Sequence, residues 1–337
     1  MPRSRKIVIT QRFFDDRTLA YLRANGIEVE IASLPTGKAD GDLDHDALVA
    51  MLAGASGWIV GHARVTRALL EALPDLQVVS RRGVGYERVD LQAARDLGRV
   101  VAIAAGGNDA SVADHVIGLM LAVGRRFRES QQRMLDGDWS ILMGSDLCEK
   151  TVGVVGLGRI GRSVVKRLSG FDCRVLVCTP RPDPDYAKTS GVEVVDLPEL
   201  LARSDYVTLH APLTPQTRFL IDASAIETMK PGAILINTAR GGLVEDAHLL
   251  DALRAGRLGG AGLDVFASES DPAYKPISQA LLALQNVVGT PHAGASSREG
   301  LDRTNLVAAR SIVAVLDGGD PAPECVVADG RPGRSGH

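Results

Sequence analysis

The stretch that most constrains this chain is Thr151–Gly161, T-V-G-V-V-G-L-G-R-I-G. An apolar, β-branched run ends at Gly156, and Gly156, Gly158 and Gly161 follow in G-x-G-x-x-G spacing before a helix-like segment, Arg162 to Ser169. The order is strand, tight turn, helix. In such a turn the first glycine permits the reversal, the second lets backbone approach a pyrophosphate, and the third lets helix and strand pack closely, with the phosphates at the helix N-terminus. A second β-like run, Arg174 to Cys178, comes at the distance that completes a βαβ unit. The glycines alone also fit a merely structural turn; the βαβ context makes dinucleotide binding the expectation.

At 337 residues, 45% of them hydrophobic, the chain is long enough for two α/β domains with cores of their own. Thirty-eight basic against 41 acidic residues leave a net charge of -3, which offers no electrostatic footprint for nucleic acid or an acidic membrane surface. The basic start, Arg3, Arg5 and Lys6, precedes only a short strand-like run, Ile7 to Thr10, too short for a signal-peptide core. No run reaches membrane-spanning length, so the expected location is the cytoplasm. Cys148, Cys173, Cys178 and Cys325 lack metal-ligand spacing and read as reduced packing residues, with no metal site implied.

From Lys6 to Ile103 short apolar runs (Ile7 to Ile9, Val29 to Ala32, Trp58 to Val60, Val78 to Val79, Val100 to Ile103) alternate with amphipathic segments. This alternation predicts a parallel sheet covered on both faces, without a glycine fingerprint. In Asn108 to Trp139, Ser111 followed by Asp114 resembles a capping box, and Val112, Val116, Leu119, Met120 and Val123 recur at helical spacing, which predicts a long helix linking two domains. The second α/β unit has strand-like runs at Val152 to Val155, Val175 to Cys178, Tyr206 to Leu209, Ile234 to Asn237, Gly262 to Val265 and Val287 to Gly289. Leu301 to Leu316 reads as a helix returning to the first domain, and Gly318 to His337, rich in Gly and Pro, as a loosely ordered tail. The expected division is residues 1–104, then a dinucleotide-binding domain over 105–292, then 293–337 completing the first domain.

In a doubly wound sheet, ligands bind beyond the carboxyl ends of the strands, so residues directly after strand-like runs carry most information. Three places qualify: Asn237 to Gly242, Asp264 to Glu269, and Thr290 to His292. Arg240 can fork onto a substrate carboxylate and carbonyl. His292 can deliver or accept the proton that accompanies hydride transfer, and Glu269, within hydrogen-bonding reach, would orient its ring and favour the protonated form. Singly, each is more ordinarily a solvated surface group; placed together at strand ends they point to chemistry.

These motifs together resemble the D-isomer-specific 2-hydroxyacid dehydrogenase family, over nearly the whole chain. The resemblance is carried by G-V-G-Y-E-R-V-D (Gly83 to Asp90), S-V-A-D-H (Ser111 to His115), G-L-G-R-I-G (Gly156 to Gly161) and H-A-P-L-T-P-Q-T (His210 to Thr217), together with N-T-A-R-G (Asn237 to Gly241), L-D-V-F-A-S-E (Leu263 to Glu269) and T-P-H-A-G (Thr290 to Gly294). It implies a Rossmann cofactor domain inserted in a flavodoxin-like substrate domain, both doubly wound parallel sheets, with the active site in the cleft between them. It further implies a homodimer and Arg240, Glu269 and His292 as the catalytic trio. Gly156, Gly158, Arg159, Ile160, Gly161, Pro212, Thr217, Thr238 and Asp264 would lie near the cofactor, and the backbone of Val84 and Gly85 would meet the substrate carboxylate together with Arg240 and His292.

Departures from the family pattern refine the expectation. Where NAD-selective relatives carry an Asp that grips the ribose hydroxyls, this chain has Thr179-Pro180-Arg181. A hydroxyl and a guanidinium would bind a 2′-phosphate that an acid would repel, so NADP is favoured, with NAD possible. The character is closest to NADPH-using glyoxylate/hydroxypyruvate reductases. Relatives acting on 3-phosphoglycerate commonly place an Arg directly after the third strand, whereas Ile59-Val60 is followed here by Gly61-His62-Ala63-Arg64; His62 is a candidate substrate contact, and no regulatory domain is read after Pro323. Asp114 stands where Glu is usual, and Ser270-Asp271-Pro272 lengthens the join after Glu269. The expected activity is hydride transfer between NAD(P)H and a small 2-oxoacid, glyoxylate or hydroxypyruvate favoured. The alternatives are an NAD-linked dehydrogenase of a sugar acid or 3-phosphoglycerate, and, remotely, a dinucleotide-sensing binding protein like the C-terminal binding protein corepressors.

Overall fold

The computed structural model describes residues 5–333; Arg3 and the end of the tail, 334–337, lie outside them. The chain divides into two compact units, one formed by residues up to Asn108 together with those from Ser296, the other by Asp109–Ala295. The first five strands are β1 (Lys6–Ile9), β2 (Glu28–Ile31), β3 (Gly57–Val60), β4 (Val78–Arg81) and β5 (Val100–Ile103). The second unit holds β6 (Thr151–Val155), β7 (Arg174–Cys178), β8 (Glu193–Val194), β9 (Tyr206–Leu209), β10 (Ile234–Asn237), β11 (Gly260–Leu263) and β12 (Val287–Gly289), and β13 (Val326–Asp329) closes the chain.

In the first unit the strand order is β13-β5-β4-β3-β1-β2, in which β1 to β5 follow the flavodoxin-like arrangement 2-1-3-4-5. Alternation along each strand sends side chains to both faces. Ile7, Ile9, Ile59, Val78 and Val100 pack with Ala308 and Ile312 of the Arg298–Leu316 helix. Val8, Trp58, Val60, Val79 and Val101 face the opposite layer, with Leu52 and Leu70. Each such fully buried side chain contributes roughly 1.5–3 kcal/mol, which is what returns the late helix to the early sheet.

The second unit has order β12-β11-β10-β9-β6-β7-β8, the dinucleotide-binding order with its reversal between β6 and β9. All its pairings are parallel. Valines 152 and 154 bury on one face with Val164 and Leu168 of the Arg159–Leu168 helix, while Val155, Val207 and Leu209 join the other core.

Five sequence expectations are corrected. The long helix is two, Asp109–Gly124 and Phe127–Leu135, because Arg126 takes φ +55°, a left-handed conformation that ends one helix and starts the next. Ser111 and Asp114 form no capping box: the helix already starts at Asp109, and the Asp114 carboxylate pairs with Arg167. The sixth strand of the second unit ends at Leu263 rather than Val265, since Asp264 is drawn into side-chain bonding. The tail is not loose over its described part: β13 adds to β5, antiparallel, making the first sheet mixed, and buries Ala328 beneath it. Cys148 is exposed and so is no packing residue, unlike buried Cys325. Among the described residues no helix is long and apolar enough to cross a membrane, and no group of His, Cys, Asp or Glu could hold a metal ion.

Candidate active site

The carboxyl ends of β10, β11 and β12 in the second unit carry the residues of interest. Beyond β10, Asn237 clamps its own turn: its amide nitrogen donates to the Arg240 carbonyl at 2.8 Å and its amide oxygen accepts from Ala239 N at 3.1 Å. Arg240 is thereby held in extended backbone, half-buried, its guanidinium donating to the Ala239 carbonyl at 2.7 Å.

Beyond β11, a 3₁₀ turn over Ala267–Glu269 folds the Glu269 carboxylate back so that Oε1 accepts from Phe266 N at 2.8 Å. The extra residues after Glu269 form a turn of their own, Pro272–Tyr274, capped by Asp271, so the lengthened join does not displace Glu269. Glu269 Oε2 lies 2.6 Å from His292 Nδ1. Both side chains are about 40% exposed, so the contact is neither sealed from water nor dominated by it. Glu269 raises the His292 pKa above the usual imidazole value against the opposing effect of burial; Asp264 adds to the rise and Arg240 lowers it. That last effect places the guanidinium within electrostatic reach of the ring. Arg240, Glu269 and His292 are thus brought together.

His292 itself sits at φ +53°, unusual for a residue with a Cβ. Asp264 imposes this. Its carbonyl accepts from His292 N at 2.8 Å, and its carboxylate accepts from Ala293 N at 2.7 Å, Gly294 N at 2.8 Å and the Thr290 hydroxyl at 2.5 Å. Since Thr290 spends its proton on Asp264, His115 Nε2, 2.9 Å from Thr290 Oγ1, is the donor there. Burial alone would raise the Asp264 pKa, but these donors hold it below the usual carboxylate range. The sequence assigns His115 and Thr290 no role of their own, although His115 ends the Ser111 to His115 motif and Thr290 directly follows β12.

The nicotinamide dinucleotide expected from the fingerprint is tested against the cradle. Gly156 has φ +100°, and a Cβ there would lie 2.7 Å from His210 backbone; a Cβ on Gly161 would lie 2.1 Å from Gly156 O, so neither position admits a side chain. Gly158, by contrast, faces open space at the start of the Arg159–Leu168 helix, where no side chain caps the first amides. Those amides of Arg159, Ile160 and Gly161 form an anion cradle. Thr238 Oγ1, buried just after β10, has no hydrogen-bond partner among the described residues. The residues present fit the group. Pro212 and Thr217 lie in one closed turn, the Thr217 hydroxyl donating to Pro212 O at 2.6 Å, and Arg159 pairs with Asp109. Directly after β7, Thr179 is half-buried and Arg181 exposed, with no side-chain partner for Arg181 among the described residues. Val84 and Gly85 lie in the loop after β4 of the first unit, and exposed His62 in the loop after β3.

A family model described as D-isomer specific 2-hydroxyacid dehydrogenase, NAD binding domain, matches residues 117–294. D-3-phosphoglycerate dehydrogenase of Archaeoglobus fulgidus is 36% identical over 318 residues, covering 92% of this chain and 57% of that protein, so the chain spans little more than half of it. Hydroxypyruvate reductase of Thermotoga maritima is 36% identical over 295 residues, 86% of this chain and 92% of its own. The solved pyruvate reductase of Chlamydomonas reinhardtii is similar with a TM-score of 0.82 at 29% identity, covering 95% of this chain and 98% of the other.

Proposed function

The chain belongs to the D-isomer-specific 2-hydroxyacid dehydrogenase family, and from that premise we propose that it reduces small 2-oxoacids to D-2-hydroxyacids, glyoxylate or hydroxypyruvate foremost, with NADPH preferred to NADH. The observation that carries the reading is the 2.6 Å contact between Glu269 and His292 beside Arg240. When bound, the nicotinamide supplies the hydride. Arg240 holds the substrate's carboxylate and orients its carbonyl. His292, doubly protonated, keeps its Nδ1 proton on Glu269 and gives its Nε2 proton to the carbonyl oxygen as negative charge develops there. Glu269 fixes the ring and keeps the charged form populated. The glycine turn and the Arg159–Gly161 amides receive the pyrophosphate. Val84 and Gly85 are proposed as further substrate contacts, and Thr179 with Arg181 as the grip on a 2′-phosphate.

Support for a small substrate comes from Gly61. A Cβ at this position would lie 1.9 Å from Gln11 Nε2, and that amide is bonded at 2.8 Å to the buried Asp40 carboxylate, which also accepts from Gly61 N. An Arg at this position would have to displace the Gln11 amide from Asp40. A second reading, 3-phosphoglycerate as substrate, is favoured by Arg82, half-buried after β4, whose guanidinium donates to Arg12 O at 2.5 Å and keeps further donors for an anion. Initial rates of NADPH and NADH oxidation with glyoxylate, hydroxypyruvate, pyruvate, 2-ketogluconate and phosphohydroxypyruvate test this. Highest kcat/KM with the phosphorylated acid would replace the first reading by the second.

We further propose a homodimer. Phe127, Leu135, Trp139, Ile141 and Met143 are exposed, Ile141 at 96%, along one stretch of the second unit, and a second copy would cover them. Light scattering at the monomer mass would contradict it.

A further inference from the structure

Behind the Glu269 turn lies a carboxylate that the proposed chemistry does not use. Asp246 is the first residue of the Asp246–Arg254 helix and only 3% exposed. Its Oδ2 accepts from Ala267 N at 3.3 Å, a long bond. An ionised carboxylate is costly to bury with so little compensation. Burial pushes this one up to about 6, the Ala267 amide opposing the rise and neighbouring Glu245 adding to it. Such a group is expected to do something that the surrounding core alone does not.

The Phe266–Ala267 peptide explains what. On one side it is met by Gly241: a Cβ there would stand 2.2 Å from Phe266 C and 2.4 Å from Ala267 N, so the turn carrying Arg240 lies directly against this peptide. On another side its nitrogen is held by Asp246. One residue back, Phe266 N is the donor that fixes Glu269 Oε1, whose partner oxygen holds His292. The Arg240 turn and the Glu269 turn are therefore registered against each other through a single peptide.

We propose that Asp246 is a positioning residue for the reaction, clamping the Phe266–Ala267 peptide so that Arg240 and the Glu269–His292 pair keep their mutual geometry. This rests on the catalytic reading given above. Asp246 touches neither substrate nor cofactor in this role; it acts through Glu269 and Gly241.

The test compares Asp246→Ala with Asp246→Asn, which keeps an acceptor for Ala267 N at similar volume. Asp246→Ala is expected to lower kcat about tenfold to a hundredfold, the scale of a small misplacement of reacting groups, with the KM for NADPH unchanged. It is also expected to move the alkaline limb of the kcat/KM profile to lower pH, because a loosened Glu269 no longer sustains the charge on His292. The other charged groups facing that ring, Asp264 and Arg240, are untouched. Asp246→Asn should restore most of kcat and the original limb. Wild-type kcat and limb in Asp246→Ala would overturn the proposal, and so would equal losses in both variants with the limb unmoved, the mark of a merely structural residue. Should Asp246→Ala not fold, Gly241→Ala presses on the same peptide from the other side; an unmoved limb and full kcat there would also overturn it. His292→Ala in the same assay separates the two claims: full turnover in that variant would remove the catalytic reading itself.

Discussion

Asp40 in the first unit and Asp264 in the second are built alike and used differently. Each is essentially fully buried, at 0% and 2% exposure, and each gathers two consecutive loop amides and a threonine hydroxyl. Asp40 takes Gly61 N and His62 N with the Thr10 hydroxyl and the Gln11 amide. Asp264 takes Ala293 N and Gly294 N with the Thr290 hydroxyl. The difference is in the main chain. Asp264 also lends its carbonyl to His292 N, and His292 is driven to φ +53°, while the loop held by Asp40 keeps ordinary dihedrals. A buried carboxylate is thus a general means of fixing a loop at a strand end. Of these two loops, only the one that carries His292 is strained in its backbone.

The comparison breaks most visibly at the ring itself. His292→Ala should cost 2-oxoacid reduction a factor on the order of 10²–10⁴, the range for a lost general acid, while NADPH binding followed by fluorescence persists, because Asp264 holds the loop through backbone groups. The corresponding change in the other loop, His62→Ala, should alter KM across a substrate panel and leave kcat for the best substrate within a few-fold. If His62→Ala proved the more damaging, the roles of the two loops would be exchanged.

Next come the carboxylates. Asp40→Asn and Asp264→Asn each replace one acceptor oxygen by an NH2 donor that faces other donors, and each should destabilise by about 1–3 kcal/mol in denaturant melts. Only Asp264→Asn should also depress kcat, since only its loop carries the proposed proton donor. Equal kinetic losses in both would erase the distinction drawn between them.

A subtler expectation concerns pH. The His292 pKa is raised in the folded protein, so the stability from its pairing with Glu269 is fully present below the unfolded imidazole value of about 6.5 and is lost as pH rises through the folded value. In the proposed mechanism reduction needs the charged ring and should therefore persist above pH 6.5. Glu269→Gln should bring its decline to lower pH; an unmoved profile would detach Glu269 from the ring. The smallest effect is expected at Arg181, whose replacement by Ala should lower the NADPH:NADH preference about tenfold, equivalent to roughly 1.4 kcal/mol, with little change in kcat.

Much of this arrangement is written locally. The runs Tyr206–Leu209, Ile234–Asn237 and Val287–Gly289 are strands at those limits, and the G-x-G-x-x-G turn is legible because its glycines answer contacts within one βαβ unit. The positions of Arg240, Glu269 and His292 directly after strands could be read for the same reason. What escaped depends on partners remote in sequence. β13 exists because β5 offers a free edge more than 200 residues earlier, as Val326 pairs with Ala102, and no feature of a Gly- and Pro-rich tail announces that. Arg126 breaks the predicted long helix although it is a good helix former, because its guanidinium is held by Glu129 and the Met143 carbonyl. Asp40 and Asp246 look like ordinary loop or helix-start acids until folding encloses them.

The most direct test of the central claim is the initial rate of NADPH oxidation with hydroxypyruvate, measured for the wild type and for His292→Ala at the same saturating cofactor. Turnover by the wild type that falls at least about a hundredfold in the variant, with NADPH still bound, is the predicted result. Equal rates in the two proteins would contradict the assignment of His292 as the proton donor and, with it, the reading of the β10–β12 strand ends as a catalytic site.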